Sequence, residues 1–66
     1  MAEIYLNEYC ANGYDVKLFT VNGFLLSGKI VDYDNECVIL LSGGKKKLIF
    51  KHAISTIEPS KNENTA

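Results

Sequence analysis

The stretch Phe50-Lys51-His52-Ala53-Ile54-Ser55-Thr56 holds the chain's only histidine, set beside a lysine in a short break between two apolar, strand-like runs. Turns that join strands usually carry Gly, Asn, Asp or Pro, which supply positive φ or a local hydrogen bond. A Lys-His pair is unusual there, so another demand than turn geometry fixes it. Cationic donors next to an aromatic ring suit a nucleotide, offering an ammonium to the phosphate and an imidazole to the base edge.

The flanking runs have the pattern of short strands. Residues 45–50 put Leu48 and Phe50 on one face and Lys47 and Ile49 on the other, and residues 54–57 form a last run that Pro59 stops. Earlier, Cys37-Val38-Ile39-Leu40-Leu41 is nearly all apolar, which predicts a strand covered on both faces, followed by a turn at Ser42-Gly43-Gly44. Residues 16–21 and 24–33 flank Asn22-Gly23, the pair that a type I′ hairpin favours because both central residues need positive φ. The second of these runs is long, and Gly28 at its middle marks where it bends around a corner before Asp34-Asn35 turns the chain again.

Ahead of the strands, residues 3–12 place Tyr5, Leu6 and Tyr9 at i, i+1 and i+4, with acids in the first half, which predicts a short amphipathic helix ended by Gly13. The predicted fold is therefore mainly β, an Sm-like or SH3-like barrel in which a short N-terminal helix precedes a five-stranded, strongly bent antiparallel sheet. This domain covers residues 1–59. Residues 60–66 carry no large apolar anchor and predict a disordered tail.

With 66 residues the chain is one domain, and a chain of this size buries only about 60% of the surface its unfolded form exposes. Such domains need a staple: disulfides, metal or oligomerisation. Cys10 and Cys37 form no C-x-x-C pair and there is a single histidine, so a four-ligand zinc site of ordinary spacing is excluded. No basic segment leads into an apolar run and no stretch approaches the roughly 18 apolar residues of a membrane span. The expectation is a cytoplasmic chain with reduced thiols, no cofactor, and oligomerisation as its staple. The last two strands, short and apolar, would expose unpaired backbone in an isolated copy.

Formal net charge is −1, so no global basic field gathers nucleic acid. Any such binding rests on local patches, Lys45-Lys46-Lys47 and Lys51-His52, the first of which reads more readily as a solvated strand edge than as a phosphate groove.

The motif Phe-Lys-His-Ala-Ile-Ser-Thr resembles the Tyr-Lys-His-Ala-Ile-Ser-Thr signature of the Hfq family, bacterial Sm-like RNA-binding rings. The resemblance runs from about residue 16 to residue 59 and includes Val21-Asn22-Gly23, Gly28, Asp34 and Val38-Ile39-Leu40-Leu41 in the same order. It implies a homo-hexamer that binds single-stranded RNA, small RNAs and mRNAs, as an RNA chaperone in post-transcriptional regulation. On the proximal, pore-side face, where the family holds U-rich RNA, Lys51, His52 and Asn35 match. Glu36 stands where the family usually has a stacking Phe, and Ala2 stands near an expected Gln, so this site is expected to be weakened. On the distal face, where the family holds A-rich RNA, Phe19, Asn22, Gly23, Phe24, Leu26 and Thr56 match, and Lys47 replaces a Gln that reads adenine. Leu25 and Ser27 replace longer polar residues. The arginines of the family's rim are absent, with Cys10 and Ala11 in their place.

Plainer readings stand beside these. Phe19 and Phe24 are the kind of strand aromatics that usually fill a core, so their surface role rests on the resemblance. His52 alone reads as a structural residue at a subunit contact. A Cys37, His52 and Asp34 triad is not supported, because nothing in the spacing brings the three together and an apolar strand raises a thiol's pKa; no enzymatic activity is expected. The alternative to RNA binding is a ring that serves as a scaffold for protein partners, favoured by Glu36 and the missing arginines.

Overall fold

The computed structural model describes residues 3–60. One helix, α1 (Glu3–Asn12), precedes five strands: β1 (Asp15–Thr20), β2 (Leu25–Tyr33), β3 (Cys37–Ser42), β4 (Lys45–Phe50) and β5 (Ile54–Pro59). All pairings are antiparallel and the sheet order is β4-β3-β2-β1-β5. The expected architecture is present, but as a bent sheet with two margins, β4 and β5, and not as a closed barrel. Position 2 and the tail beyond Ser60 lie outside the described residues; Ser60 itself donates its N–H to the Asp15 carbonyl at 2.9 Å.

Alternation builds the core. Val16 and Leu18 of β1, Ile30 of β2, Val38 and Leu40 of β3 and Ile54 of β5 are buried together, and Leu6 of α1 closes the cluster. Two expectations change here. Among the described side chains of the helix Leu6 is the fully buried one, with Tyr9 and Cys10 only partly covered and Tyr5 exposed, so the aromatics at its predicted apolar positions are less covered than their spacing suggested. Strand β3 fully buries only its Val38 and Leu40 face, while Cys37, Ile39 and Leu41 on the other face stay half-buried, because the described residues supply no second layer there.

The turns differ from expectation in an instructive way. At Asn22-Gly23 only Gly23 has positive φ, and among the described residues no non-glycine residue does, so the predicted type I′ turn is not formed. Instead the loop takes in Val21 as well: Gly23 donates to the Thr20 carbonyl at 3.0 Å, Thr20 N–H donates to the Phe24 carbonyl at 2.9 Å, and Phe24 N–H donates to the Thr20 hydroxyl at 3.0 Å. The Thr20 side chain thus supplies an acceptor that a tighter turn would have taken from the backbone, and β2 begins at Leu25, not Phe24. The two-residue turn with both central φ positive occurs at Gly43-Gly44 (62° and 79°), between the paired Ser42 and Lys45.

Gly28 sits where β2 passes closest to β3. A Cβ built there would lie 2.1 Å from the Leu41 carbonyl oxygen. Two residues on, the β2–β3 register shifts between Ile30 and Asp32, a bulge that sharpens the bend. Strand β5 also runs to Pro59, opposite Val16; at the end of a ladder the missing N–H is tolerated. Helix α1 closes with Tyr14 N–H donating to the Tyr9 carbonyl at 3.3 Å past Gly13. Among the described residues no helix is long and apolar enough to cross a membrane.

Candidate nucleic-acid interface

Lys51–Ala53 forms a single 3-10 turn between β4 and β5. It is held against the preceding β2–β3 turn by a backbone bond, Lys51 N–H to the Glu36 carbonyl at 2.8 Å, which extends the ladder beyond Cys37 and Phe50. The two turns together line one cleft, formed by Asn35, Glu36, Phe50, Lys51 and His52. The proximal residues named from the sequence, Asn35, Lys51 and His52, are therefore brought together within a single chain.

Two contacts in this cleft could not be read from spacing. The Phe50 and His52 rings stack at 5.7 Å with 10° between planes, which orients the exposed imidazole. The Lys51 ammonium lies 5.9 Å from the centre of the Tyr33 ring, within the range of a cation–π contact. The signal available in the sequence was only the alternation that sets Phe50 and His52 two apart.

Asp34 shapes the neighbouring turn. Its Oδ1 accepts from Glu36 N–H at 2.8 Å and Cys37 N–H at 2.7 Å. These two bonds, with a smaller contribution from Lys51, hold its carboxyl below the ordinary 3.8. Because the folded value is depressed, the stabilisation is complete above the unfolded pKa and is lost as pH falls through the folded one. Asp34→Ala is expected to lower the thermal midpoint at neutral pH, with the gap to the parent chain closing below about pH 4; melting curves from pH 2 to 7 check this, and a gap that persists in acid overturns it. Cys37 lies three residues after Asp34, and burial first, then the charges of Asp34 and Glu36, push its thiol upward. Such a thiol is a poor nucleophile at neutral pH. Both cysteines are free.

The other predicted surface lies across β1, β2 and β5. Phe19 is paired with Leu25 on one side and Thr56 on the other. Paired residues share a face, so these three form a row. Phe24, at the end of the 21–23 loop that carries Asn22 and Gly23, is 66% exposed and Leu25 is 51% exposed. Phe19 is half-buried and Thr56 exposed. The structure places Leu26 on the opposite face, paired with the buried Leu18 and packed against the core. Leu25, seen in the sequence only as a departure, is the residue that joins the row. Lys47 is not brought to it: it pairs with Leu40 on β4, at the margin opposite β5. Lys45, Lys46 and Lys47 are all exposed there.

A family model described as "Hfq protein" matches residues 1–64. A relative named RNA-binding protein Hfq from Desulforudis audaxviator is 42% identical over 66 residues, covering all of this chain and 80% of the relative. One of the same name from Oceanobacillus iheyensis is 50% identical over 58 residues, 88% of this chain and 78% of the relative. A 1.55 Å crystal structure of the pleiotropic translational regulator Hfq superposes with a TM-score of 0.82 at 45% identity, covering 83% of this chain and 92% of that one. With a family model spanning nearly the whole sequence and a solved relative sharing both its helix-and-sheet fold and almost half its residues, the chain belongs to the Hfq family.

Proposed function

We propose that this chain is a cytoplasmic, single-stranded RNA-binding protein that works as a homo-hexameric ring and holds A-rich RNA on its distal face. The observation that carries this is the exposed row of Phe24 and Leu25 beside Phe19 and Thr56, since aromatic and apolar side chains that would ordinarily fill a core are what bases stack upon. The names of the relatives, RNA-binding protein Hfq, support the ligand class. Asn22 and Gly23 add backbone and amide groups at the end of the same row. Residues 1–59 carry the function as one domain.

Ring assembly accounts for the remaining pieces. The outermost strands β4 and β5 each have one unpaired margin, and head-to-tail pairing of such margins closes a ring when the rotation per copy allows. Pairing of β4 with β5 of the next copy sets Lys47 of one chain against the Thr56 strand of the other, which gives Lys47 its route to the distal row. The Asn35, Lys51 and His52 cleft is a second, weaker site for U-rich RNA, because Glu36 brings a carboxylate where a ring would stack. The mechanism is non-covalent: strands of small RNA and mRNA are concentrated and remodelled side by side, with no cofactor and no turnover.

Fluorescence anisotropy with labelled A-rich and U-rich oligonucleotides at two salt concentrations tests this. Salt-sensitive A-rich binding is expected, since log affinity falls with log salt by about 0.7 per phosphate neutralised on a single strand. Lys51→Ala is expected to lower U-rich affinity by about tenfold, the loss of one charge-assisted contact, and to leave A-rich affinity unchanged. Absence of binding to both oligonucleotides would favour the protein-scaffold reading, toward which Glu36 in the cleft already leans.

A further inference from the structure

A cavity of about 600 Å³ shares no lining residue with either of these surfaces. It lies between α1 and the start of β1 and end of β5, lined by Tyr5, Glu8, Tyr9, Tyr14, Asp15 and Pro59 among others. Three of the chain's four tyrosines meet here. Tyr5, Glu8 and Tyr9 fall at i, i+3 and i+4, one face of the helix, and Tyr5 and Tyr14 are 59% and 51% exposed. Its dimensions are those of a ligand site, since pockets for small groups run from about 300 to 1,000 Å³.

Its charge is negative. Asp15 is shared with Lys29, whose Nζ lies 2.6 Å from Oδ1, and Glu58 stands opposite Lys17 in register. Glu8 forms no ion pair among the described residues. Tyr9 feels the negative setting too: burial first, then Tyr5, Glu8 and Glu58, push its phenol above the ordinary range. Phosphate is therefore repelled from this groove, and a cation is attracted. Among cations, a guanidinium fits best, because its plane stacks on tyrosine faces while its fork pairs with one carboxylate in two parallel bonds.

We propose that this tyrosine-lined groove docks an arginine-bearing segment of a protein partner, the guanidinium stacking on the tyrosine rings and pairing with Glu8. The helix face that would otherwise be a further surface for RNA is thereby a protein-binding face. Tyr33, the fourth tyrosine, lies beside Lys51 and outside the groove's lining, and serves as an internal reference.

The test is a titration of the full chain, carbon-13-labelled in its tyrosine rings, with the peptide acetyl-Gly-Ser-Arg-Gly-Ser-Gly-amide and with its citrulline twin, followed by NMR. The expected result is movement of the Tyr5, Tyr9 and Tyr14 signals with Tyr33 still, and binding about tenfold weaker for the neutral citrulline peptide. Glu8→Gln and Tyr14→Ala should each weaken the arginine peptide by about fivefold or more, while Tyr14→Phe, which keeps the stacking face, binds as the parent does. Both altered side chains are exposed, so folding is preserved, and A-rich RNA affinity in the same variants gives a check on the intact molecule. Equal binding of the citrulline twin, movement of Tyr33 alone, no movement at millimolar peptide, or groove signals that respond instead to RNA or to concentrating the protein by itself would each overturn the assignment.

Discussion

Gly28→Ala should leave the isolated chain unfolded at room temperature. The added methyl would sit 2.1 Å from the Leu41 carbonyl oxygen, 2.9 Å from the Leu41 carbonyl carbon and 3.1 Å from Ser42 Cα. All three are backbone atoms of β3, so no rotamer change relieves the clash; the two central strands must separate. Overpacking costs about 1–3 kcal/mol and occasionally more, a clash with rigid backbone falls at the upper end, and a core this small supplies only about 3–5 kcal/mol in total. Urea denaturation followed by far-ultraviolet circular dichroism checks it, with Ser27→Ala, an exposed neighbour on the same strand, as the control. A cooperative transition at the parent midpoint would mean that β2 and β3 are further apart than this packing has them.

Glu36→Phe should raise affinity for U-rich RNA by about tenfold or more, with A-rich affinity unchanged. The substitution costs the fold little. Glu36 is exposed, and what it contributes to the turn is backbone, its N–H to Asp34 Oδ1 and its carbonyl to Lys51 N–H, both of which any residue supplies. What changes is the cleft. A carboxylate that repels phosphate gives way to a ring beside the Phe50–His52 stack and the Lys51 ammonium. Base–aromatic stacking contributes about 1–3 kcal/mol per base, which sets the lower part of the expected gain, and removal of the charge adds to it. Anisotropy with a labelled uridine oligonucleotide reads the effect directly. Unchanged U-rich affinity would mean that uracil does not lie against position 36, and the Lys51–His52 turn would then be better read as an assembly element.

The contrast between what the residues announced and what they withheld follows the range of the interactions. Strand and helix positions were legible because alternation and turn residues are local: β4 falls at 45–50 and α1 at 3–12, where period and punctuation set them. The Lys51-His52 pair was legible for a related reason, since cationic donors in a place where turn chemistry expects glycine stand out. The shape of the 21–23 loop was not, because it turns on the Thr20 hydroxyl competing for the Phe24 N–H, a side-chain choice that a dipeptide signal ignores. That Leu25 pairs with Phe19 while Leu26 packs on the core was not legible either, because a slip of one residue moves every side chain of a strand to the other face. The Tyr33–Lys51 contact and the tyrosine groove unite segments far apart in the chain, so only the folded topology could reveal them. Lys47 shows the opposite limit: its own chain sets it at the β4 margin, away from the Phe19 row.

The open margins of the sheet carry a consequence for abundance. A fold whose outermost strands β4 and β5 each end in unsatisfied hydrogen-bonding groups has, on its own, little reserve against the entropy of the unfolded chain. In the proposed ring, copies that pair along those margins withdraw folded chain from the monomer pool, and by mass action unfolded chains pass through the folded monomer into the assembly. Resistance to heat and to proteases in that ring therefore rises with the concentration of the chain, so that the rate of synthesis bears on the protein's lifetime.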